Sequence, residues 1–295
     1  MTGAKVWLDM DQAALDAAYD QTRYAPNMAL LLERYAANSE AVRLRIGQPQ
    51  RFAYGPSPVE ALDVYRTRQA AAPVCIFIHG GAWRSGMAKN NAFAAETFVQ
   101  AGAHFVVPDF AWVQDVAGEL MPIADQLRRA VIWVYKNAHR FGGDPQRLYV
   151  CGHSSGAHFA AVLLTTDWSS VLDDDAELPV RLLQGGLCCS GMYDLKPVRL
   201  SARSAYVKFT DAVEQALSPQ RHLQQLNVPV IVAYGSLESP EFQRQACDFK
   251  TAVQAAGLPV RLLVLEGLNH FEVIKTLAAP DGLLGRALLE QMGLA

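Results

Sequence analysis

The stretch CGHSSGAHF, Cys151–Phe159, decides how the rest of the chain is interpreted. It places Ser154 between Gly152 and Gly156, directly after an apolar run typical of a buried strand. The two glycines permit a sharp turn that lifts a serine above a sheet, and a helix over Ser155–Leu164 would aim its N-terminal amides at that serine. The alternative is a serine that only caps the helix, because the five-residue pattern also occurs by chance. A strand before the motif and a helix after it favour the catalytic interpretation.

The runs on either side of this stretch predict an α/β fold with a mainly parallel sheet and helices on both faces. Short β-branched runs alternate with helical patterns, as in βαβ units. The predicted strands are Val74–Ile78, His104–Pro108, Arg147–Cys151, Leu182–Cys188, Val228–Tyr234 and Val260–Leu265. Three more helices, predicted from apolar residues at three- and four-residue spacing, are Ile123–Arg140, Phe242–Ala256 and Leu283–Met292.

We expect residues 1–295 to form one domain, with the catalytic core in 73–295 and the helical segment 1–50 contributing to a cap. Helical periodicity over Gln12–Ala37 predicts one or two helices. Short strand-like pieces over Val42–Tyr65, broken by Gly and Pro, predict antiparallel edge strands.

Two insertions, Thr166–Pro179 and Lys196–Leu226, are rich in Asp, Ser and Arg and follow the carboxyl ends of predicted strands. Ligands bind at that edge of open α/β sheets, so these insertions predict small cap elements beside the site.

The composition argues against several classes of partner. Net charge is −3, with 26 basic and 29 acidic residues, and no basic stripe indicates nucleic acid or an anionic membrane. The chain has no apolar run of about 18 residues and no signal-peptide core at its N-terminus. Its five cysteines show no CxxC spacing. We therefore expect buried thiols in a cytoplasmic protein, for which a homo-oligomer remains open.

A second motif, IFIHGGAWRSG at Ile76–Gly86, follows a predicted strand. Adjacent glycines let backbone amides point into a site, which is how a loop supplies donors to an oxyanion. The predicted donors are the amides of Gly81 and Ala82, completed by Ser155, with Gly80 as the alternative. His79 is expected to brace this loop rather than act as a base, and the alternative is a glycine-rich turn with a buried histidine.

Among seven histidines, His270 is the predicted base because it follows the last predicted strand, where the chain order serine, acid, histidine requires it. The acid should follow the preceding strand, and Glu238 does so within AYGSLESPEF. Its rivals are Glu241 and Asp248, both expected on the next helix. A carboxylate here would hold the imidazole tautomer and stabilise the imidazolium that forms during attack. The chemistry needs no cofactor, and no HExxH-type spacing indicates a metal.

Four stretches resemble the α/β-hydrolase superfamily, and within it the branch of hormone-sensitive-lipase-like esterases and arylformamidases. They are HGGAWR at His79–Arg84, SGMYDLKPV at Ser190–Val198, GSLESPEFQRQ at Gly235–Gln245 and LDAAYDQTRYAPN at Leu15–Asn27. The similarity runs over nearly the whole chain. The acid loop carries Glu in place of the commoner Asp.

The resemblance implies a serine hydrolase that cleaves an N-formyl or small N-acyl group from an aryl amine, with N-formylkynurenine as the leading substrate. It implies the triad Ser154, Glu238 and His270, with Gly80, Gly81 and Ser155 around the oxyanion. The alternatives are a carboxylesterase acting on small acyl or aryl esters and an inactive binding protein.

The chain departs from the branch at PDFAWVQD, Pro108–Asp115, which places the identity of the substrate in question. Phe110 is either a pocket residue or an ordinary core aromatic. A pocket rimmed by Trp83, Trp112 and Tyr193 would favour an aromatic leaving group.

Overall fold

The elements are those of a computed structural model, which describes residues 3–171, 178–279 and 281–294. The strands are β1 (Lys5–Trp7), β2 (Met10–Asp11), β3 (Gln50–Ala53), β4 (Ala61–Tyr65), β5 (Ala72–Ile78), β6 (His104–Pro108), β7 (Gly143–His153), β8 (Leu183–Cys189), β9 (Val230–Gly235) and β10 (Val260–Leu265). The α-helices are α1 (Gln12–Ala18), α2 (Met28–Ile46), α3 (Ala95–Ala101), α4 (Met121–Asn137), α5 (Ser155–Leu164), α6 (Leu195–Leu200), α7 (Asp211–Ala216), α8 (Pro240–Ala255) and α9 (Leu283–Gln291). Short 3₁₀ helices cover Gln21–Arg23, Ala88–Asn90, Val113–Val116, Ala138–Phe141, Trp168–Ser170, Ala202–Ala205, Pro219–Arg221, Leu223–Gln225 and Val273–Leu277.

Eight strands form one sheet in the order β10-β9-β8-β7-β5-β6-β4-β3. The strands from β5 to β10 pair in parallel, whereas β4 pairs antiparallel with both β3 and β6. The predicted mainly parallel sheet and its antiparallel edge are confirmed.

The core lies on both faces of the sheet because successive strand residues point to opposite sides. In β5, Ile76 belongs to the cluster that includes Leu127 of α4 and Phe159 of α5. The next residue, Phe77, belongs to the opposite cluster, which includes Phe98 of α3. The continuous apolar run of β5 is therefore buried on both sides, as expected of a parallel strand inside a sheet.

The predicted elements agree closely with the structure at the centre of the sheet and less well at its margins. The bounds of β6, α5 and β10 are as predicted. The predicted strand Arg147–Cys151 extends over the whole of β7, and the predicted helix Ile123–Arg140 ends as α4 at Asn137, where a 3₁₀ turn begins. Of the insertion Thr166–Pro179, residues 172–177 lie outside the described residues.

The strand order reverses at β5, because β6 lies on one side of it and β7 on the other. A crevice opens at such a switch point, beyond the carboxyl ends of the strands. Both sequence motifs leave the sheet here, one after β5 and one after β7. The topology thus brings the glycine loop and the serine turn together.

Candidate active site

Ser154 occupies a strained turn between β7 and α5. Its φ of 57° and ψ of −124° belong to a region that L-residues rarely adopt. The Ser154 amide donates a 2.9 Å hydrogen bond to the carbonyl of Cys189 at the end of β8. The turn is therefore held by the neighbouring strand, and Ser154 is only 8% exposed.

The glycines around Ser154 are required by close backbone approaches. A Cβ on Gly156 would lie 2.1 Å from the carbonyl oxygen of Ile78, so a side chain there would push α5 away from β5. A Cβ on Gly80 would lie 3.0 Å from the His153 carbonyl and 3.1 Å from the Ser154 Cβ. The glycine loop consequently lies directly against the serine side chain.

His270 lies between Ser154 and Glu238. Its Nε2 is 2.9 Å from the Ser154 Oγ, and its Nδ1 is 2.7 Å from the Glu238 Oε2. Because a carboxylate only accepts, Nδ1 carries the proton and Nε2 is free to accept the serine proton. The structure thus brings these three predicted side chains into the order that a base-activated serine requires.

The Glu238 carboxylate is fixed at both oxygens. Oε1 accepts hydrogen bonds from the Ser190 hydroxyl at 2.6 Å and from the Gly235 amide at 2.7 Å, while Oε2 faces His270. Glu238 is only 3% exposed, so water does not compete for these bonds. Ser190 is a supporting residue that the sequence alone did not identify; its position two residues after the predicted strand Leu182–Cys188 was the available signal.

The rival acids lie on α8 and have other partners. Glu241 accepts from the Arg244 Nε at 2.8 Å and from the Tyr19 hydroxyl at 3.1 Å. Asp248 also accepts from Arg244. Neither carboxylate contacts His270, whose acid partner is Glu238.

The predicted oxyanion donors lie in the glycine loop after β5 and at the start of α5. Among the described residues, the amides of Gly81 and Ala82 donate to no protein acceptor, and Ser155 is the first residue of α5, where a helix leaves its amides free. The Ser155 hydroxyl accepts from the Trp83 amide at 3.2 Å, which ties the glycine loop to the helix. The Gly80 backbone touches Ser154, as described above. All four predicted residues therefore lie around the serine turn.

Two aromatic side chains, Phe110 and Trp112, support the glycine loop. The His79 ring stacks on Phe110 at 4.4 Å, and its Nδ1 lies 2.9 Å from the Gly80 carbonyl oxygen. Burial lowers the pKa of His79, so its ring stays neutral. The Trp112 indole donates to the Gly86 carbonyl at 2.9 Å. Phe110 thus belongs to the core of the loop rather than to a substrate surface.

His153, next to the serine, joins two parts of the site. Its Nε2 lies 2.7 Å from the His270 carbonyl, to which it donates, and the two rings are 4.8 Å apart. Burial, with the neighbouring His270 as a second cause, holds the pKa of His153 well below its usual value. A neutral His153 therefore positions the loop that carries His270 without placing a second charge beside it.

The structure does not support an aromatic pocket that includes Tyr193. This ring is fully buried and stacks on Phe249 at 4.3 Å, while its hydroxyl donates to the Cys188 carbonyl at 3.1 Å. Tyr193 is part of the core because its ring has a parallel partner on α8. Trp83 instead packs edge-on against His158 and Phe209.

The N-terminal segment holds the loop that carries His270. The Tyr35 hydroxyl of α2 donates to the Phe271 carbonyl, and Asn27 accepts from the Asn269 side chain at 2.9 Å.

An open cavity of about 660 Å³ lies elsewhere, at the carboxyl end of α5, and no triad residue lines it. Across residues 3–171, 178–279 and 281–294, no helix is long and apolar enough to span a membrane.

Comparisons with known proteins bear on the family and the fold of this chain. The BD-FAE family model matches residues 62–181. Kynurenine formamidase of Danio rerio is 30% identical over 300 residues, covering 97% of this chain and 98% of that protein. An isoprenylcysteine alpha-carbonyl methylesterase of Arabidopsis thaliana is 26% identical over 75% of this chain and 56% of its own length. The crystal structure of esterase B from Lactobacillus rhamnosis has a TM-score of 0.71 at 16% identity, covering 93% of this chain and 96% of its own, which confirms the predicted α/β-hydrolase fold.

Proposed function

The chain belongs to the kynurenine formamidase family of α/β-hydrolases and is therefore a hydrolase of amides or esters, and we propose that it removes the formyl group from N-formyl aryl amines by way of an acyl-enzyme. The observation that carries this proposal is the continuous hydrogen-bonded line from Ser154 through His270 to Glu238. N-formylkynurenine is the leading substrate because the named activity of the Danio rerio relative concerns kynurenine.

In the first half of the reaction, Ser154 Oγ attacks the formyl carbon while His270 Nε2 takes the hydroxyl proton. The amides of Gly81, Ala82 and Ser155 donate to the oxyanion, where donors placed in advance stabilise the developing charge. The imidazolium then gives its proton to the aryl nitrogen as the carbon–nitrogen bond breaks. The free aryl amine leaves, and the formyl group remains on Ser154 as an ester.

In the second half, water enters the position of the departed amine and His270 takes its proton. The hydroxide adds to the formyl carbon, the bond between that carbon and Ser154 Oγ breaks, and the proton on His270 returns to Ser154. The product is formate. Glu238 accepts from Nδ1 throughout and stabilises the imidazolium.

The test is release of free aryl amine from N-formylkynurenine, compared with N-acetyl and N-butyryl anilides. The proposal expects the formyl amide to show by far the highest kcat/KM and Ser154→Ala to abolish turnover. Ser155→Ala serves as the matched variant, because it removes only a hydroxyl that accepts from Trp83 and keeps the Ser155 amide. Its loss should be far smaller than that of Ser154→Ala. Equal activity in wild type and Ser154→Ala would remove Ser154 from the mechanism.

A carboxylesterase is the second candidate, favoured by the similarity to a methylesterase over three quarters of the chain. The same triad would attack an ester carbonyl, and the leaving alcohol would take the proton from His270. Turnover of p-nitrophenyl acetate alone does not separate the two candidates, because an activated ester needs little help to leave. A kcat/KM for unactivated methyl or aryl esters above that for the formyl amide would favour the esterase.

A further inference from the structure

The insertion between α6 and α7 carries a guanidinium that has no acidic partner among the described residues. Arg203 lies in the 3₁₀ helix Ala202–Ala205, where Nη1 donates to the Tyr206 hydroxyl at 2.8 Å and Nη2 donates to the Tyr19 carbonyl at 3.0 Å. Its Nε is buried and has no hydrogen-bond partner in the described structure. No carboxylate in the described part of the chain forms an ion pair with this side chain. Arg203 is therefore a partly buried cation with a free donor.

Two aromatic rings hold this guanidinium in place. Its central carbon lies 5.7 Å from the centroid of Trp83 and 5.9 Å from that of Tyr19. Both rings are nearly fully buried, and their π faces attract a cation. The position of Arg203 is thus set by packing rather than by a charge of opposite sign.

Both rings also connect Arg203 to the triad. The Trp83 amide donates to the Ser155 hydroxyl, next to the proposed nucleophile. On the other side, Tyr19 packs edge-on against Phe242 at 5.8 Å, and Phe242 packs edge-on against His270 at 5.0 Å. Arg203 therefore spans the two walls that flank the reacting centre, one from the glycine loop and one from the N-terminal segment.

A second cation lies close to the first. The guanidinium of Arg84, in the glycine loop, lies 4.6 Å from the centroid of the Tyr206 ring, whose hydroxyl accepts from Arg203. Gln21, two residues after Tyr19, is only 7% exposed, and neither polar atom of its side chain has a partner in the described structure. Unpaired charges and unpartnered polar groups cost free energy, which a bound anion recovers.

We propose that Arg203 forms an anion subsite that binds a carboxylate at the end of the substrate remote from the scissile amide. This proposal rests on the proposed function and narrows it to aryl amides that bear a carboxylate. The guanidinium fork matches the geometry of a carboxylate, and because each Nη carries two N–H groups, Nη1 and Nη2 each keep one donor for the ligand. Arg84 adds positive potential from the loop side. N-formylkynurenine, which carries a carboxylate on its amino-acid side chain, fits this description.

The experiment compares substrates that differ only in the charged end. N-formylkynurenine carries the carboxylate, whereas 2-formamidoacetophenone keeps the formyl aryl amide and the ketone without it. For Arg203→Met, kcat/KM for the carboxylate substrate should fall about 10- to 100-fold more than kcat/KM for the neutral substrate, because a charge-assisted hydrogen bond is lost. Most of the change should lie in KM. Arg203→Lys, which keeps the charge but not the fork, should lose less.

Arg140→Met is the matched control. Arg140 also lies over an aromatic ring, at 5.4 Å from the Phe52 centroid, but it precedes β7 whereas Ser154 follows it. This variant should treat the two substrates as wild type does. Equal losses on both substrates in Arg203→Met would show a merely structural role and overturn the proposal, and so would no loss on either.

A binding measurement separates this proposal from the proposed function. Kynurenine and 2-aminoacetophenone, the two deformylated products, are tested as competitive inhibitors of p-nitrophenyl acetate hydrolysis. The proposal expects Arg203→Met to raise the inhibition constant of kynurenine and to leave that of 2-aminoacetophenone nearly the same. If wild type does not deformylate either amide but this difference remains, the proposed function fails and the anion subsite stands. If the two inhibition constants change together, the subsite fails whatever the substrate.

Discussion

Replacing Glu238 by Gln should disable the base while leaving the fold intact, because the substitution conserves shape and removes only the charge. The orientation of the new amide is fixed by its surroundings. The Gly235 amide can only donate, so the position of Oε1 must keep an oxygen. The NH₂ group of Gln is therefore placed opposite His270 Nδ1, which now has to accept.

This exchange puts the His270 proton on Nε2, facing the Ser154 hydroxyl that it should deprotonate. The imidazolium also loses a partner charge. Two unit charges about 4 Å apart attract by about 4 kcal/mol at an effective dielectric constant of about 20. Loss of that attraction alone lowers the rate about 10³-fold. With the wrong tautomer added, kcat should fall between about 10³- and 10⁴-fold.

The assay is steady-state turnover of the best amide or ester substrate, with thermal unfolding to show that the variant is folded. Glu241→Gln is the matched control, because it neutralises the neighbouring buried carboxylate, which binds Arg244 instead of His270. Glu241→Gln should lower the free energy of unfolding and change kcat little. A fall in kcat of less than about tenfold in Glu238→Gln would refute the assignment of the acid, and a larger fall in Glu241→Gln would transfer the role to that residue.

Three further predictions concern the close contacts and the buried histidines. Gly80→Ala should lower kcat about 100-fold or more, because its Cβ would press on Ser154 and displace an oxyanion donor. The unfolding temperature should change little. A variant with wild-type activity would show that the oxyanion donors lie elsewhere. Gly156→Ala should lower the free energy of unfolding by at least about 1–3 kcal/mol, measured in urea, because the Ile78 carbonyl cannot retreat; unaltered stability would contradict the contact. Burial lowers the pKa of His158 to about 4, whereas the unfolded chain titrates near 6.5, so the unfolded state binds the proton first and stability falls as pH drops below about 6.5. This group alone should cost about 2 kcal/mol between pH 7 and pH 5, and a flat pH profile of unfolding would show that His158 takes up its proton as readily in the folded protein as in the unfolded chain.

The sequence predicted the central elements well because each is specified locally. The glycines at Gly152 and Gly156 signal the serine turn, and the apolar run of β5 signals a buried strand. It could not reveal that Tyr193 belongs to the core, because an aromatic after a strand is equally consistent with a pocket wall until its partner Phe249 is known. The sequence could not single out Arg203 either, because only the folded structure shows that no described carboxylate forms an ion pair with it.

The supporting role of Ser190 shows why the order of strands had to be known first. Ser154 and Ser190 both have a φ of 57°, and each follows directly after its strand. The Ser154 amide donates to the Cys189 carbonyl at the end of β8, and the Ser190 amide donates to the Ala233 carbonyl in β9. Each strand end is thus tied to the next strand of the sheet. The serine turn depends on β8 and the bond from Ser190 to Glu238 depends on β9, so the spacing within the triad is set by strand neighbours, which no local pattern contains.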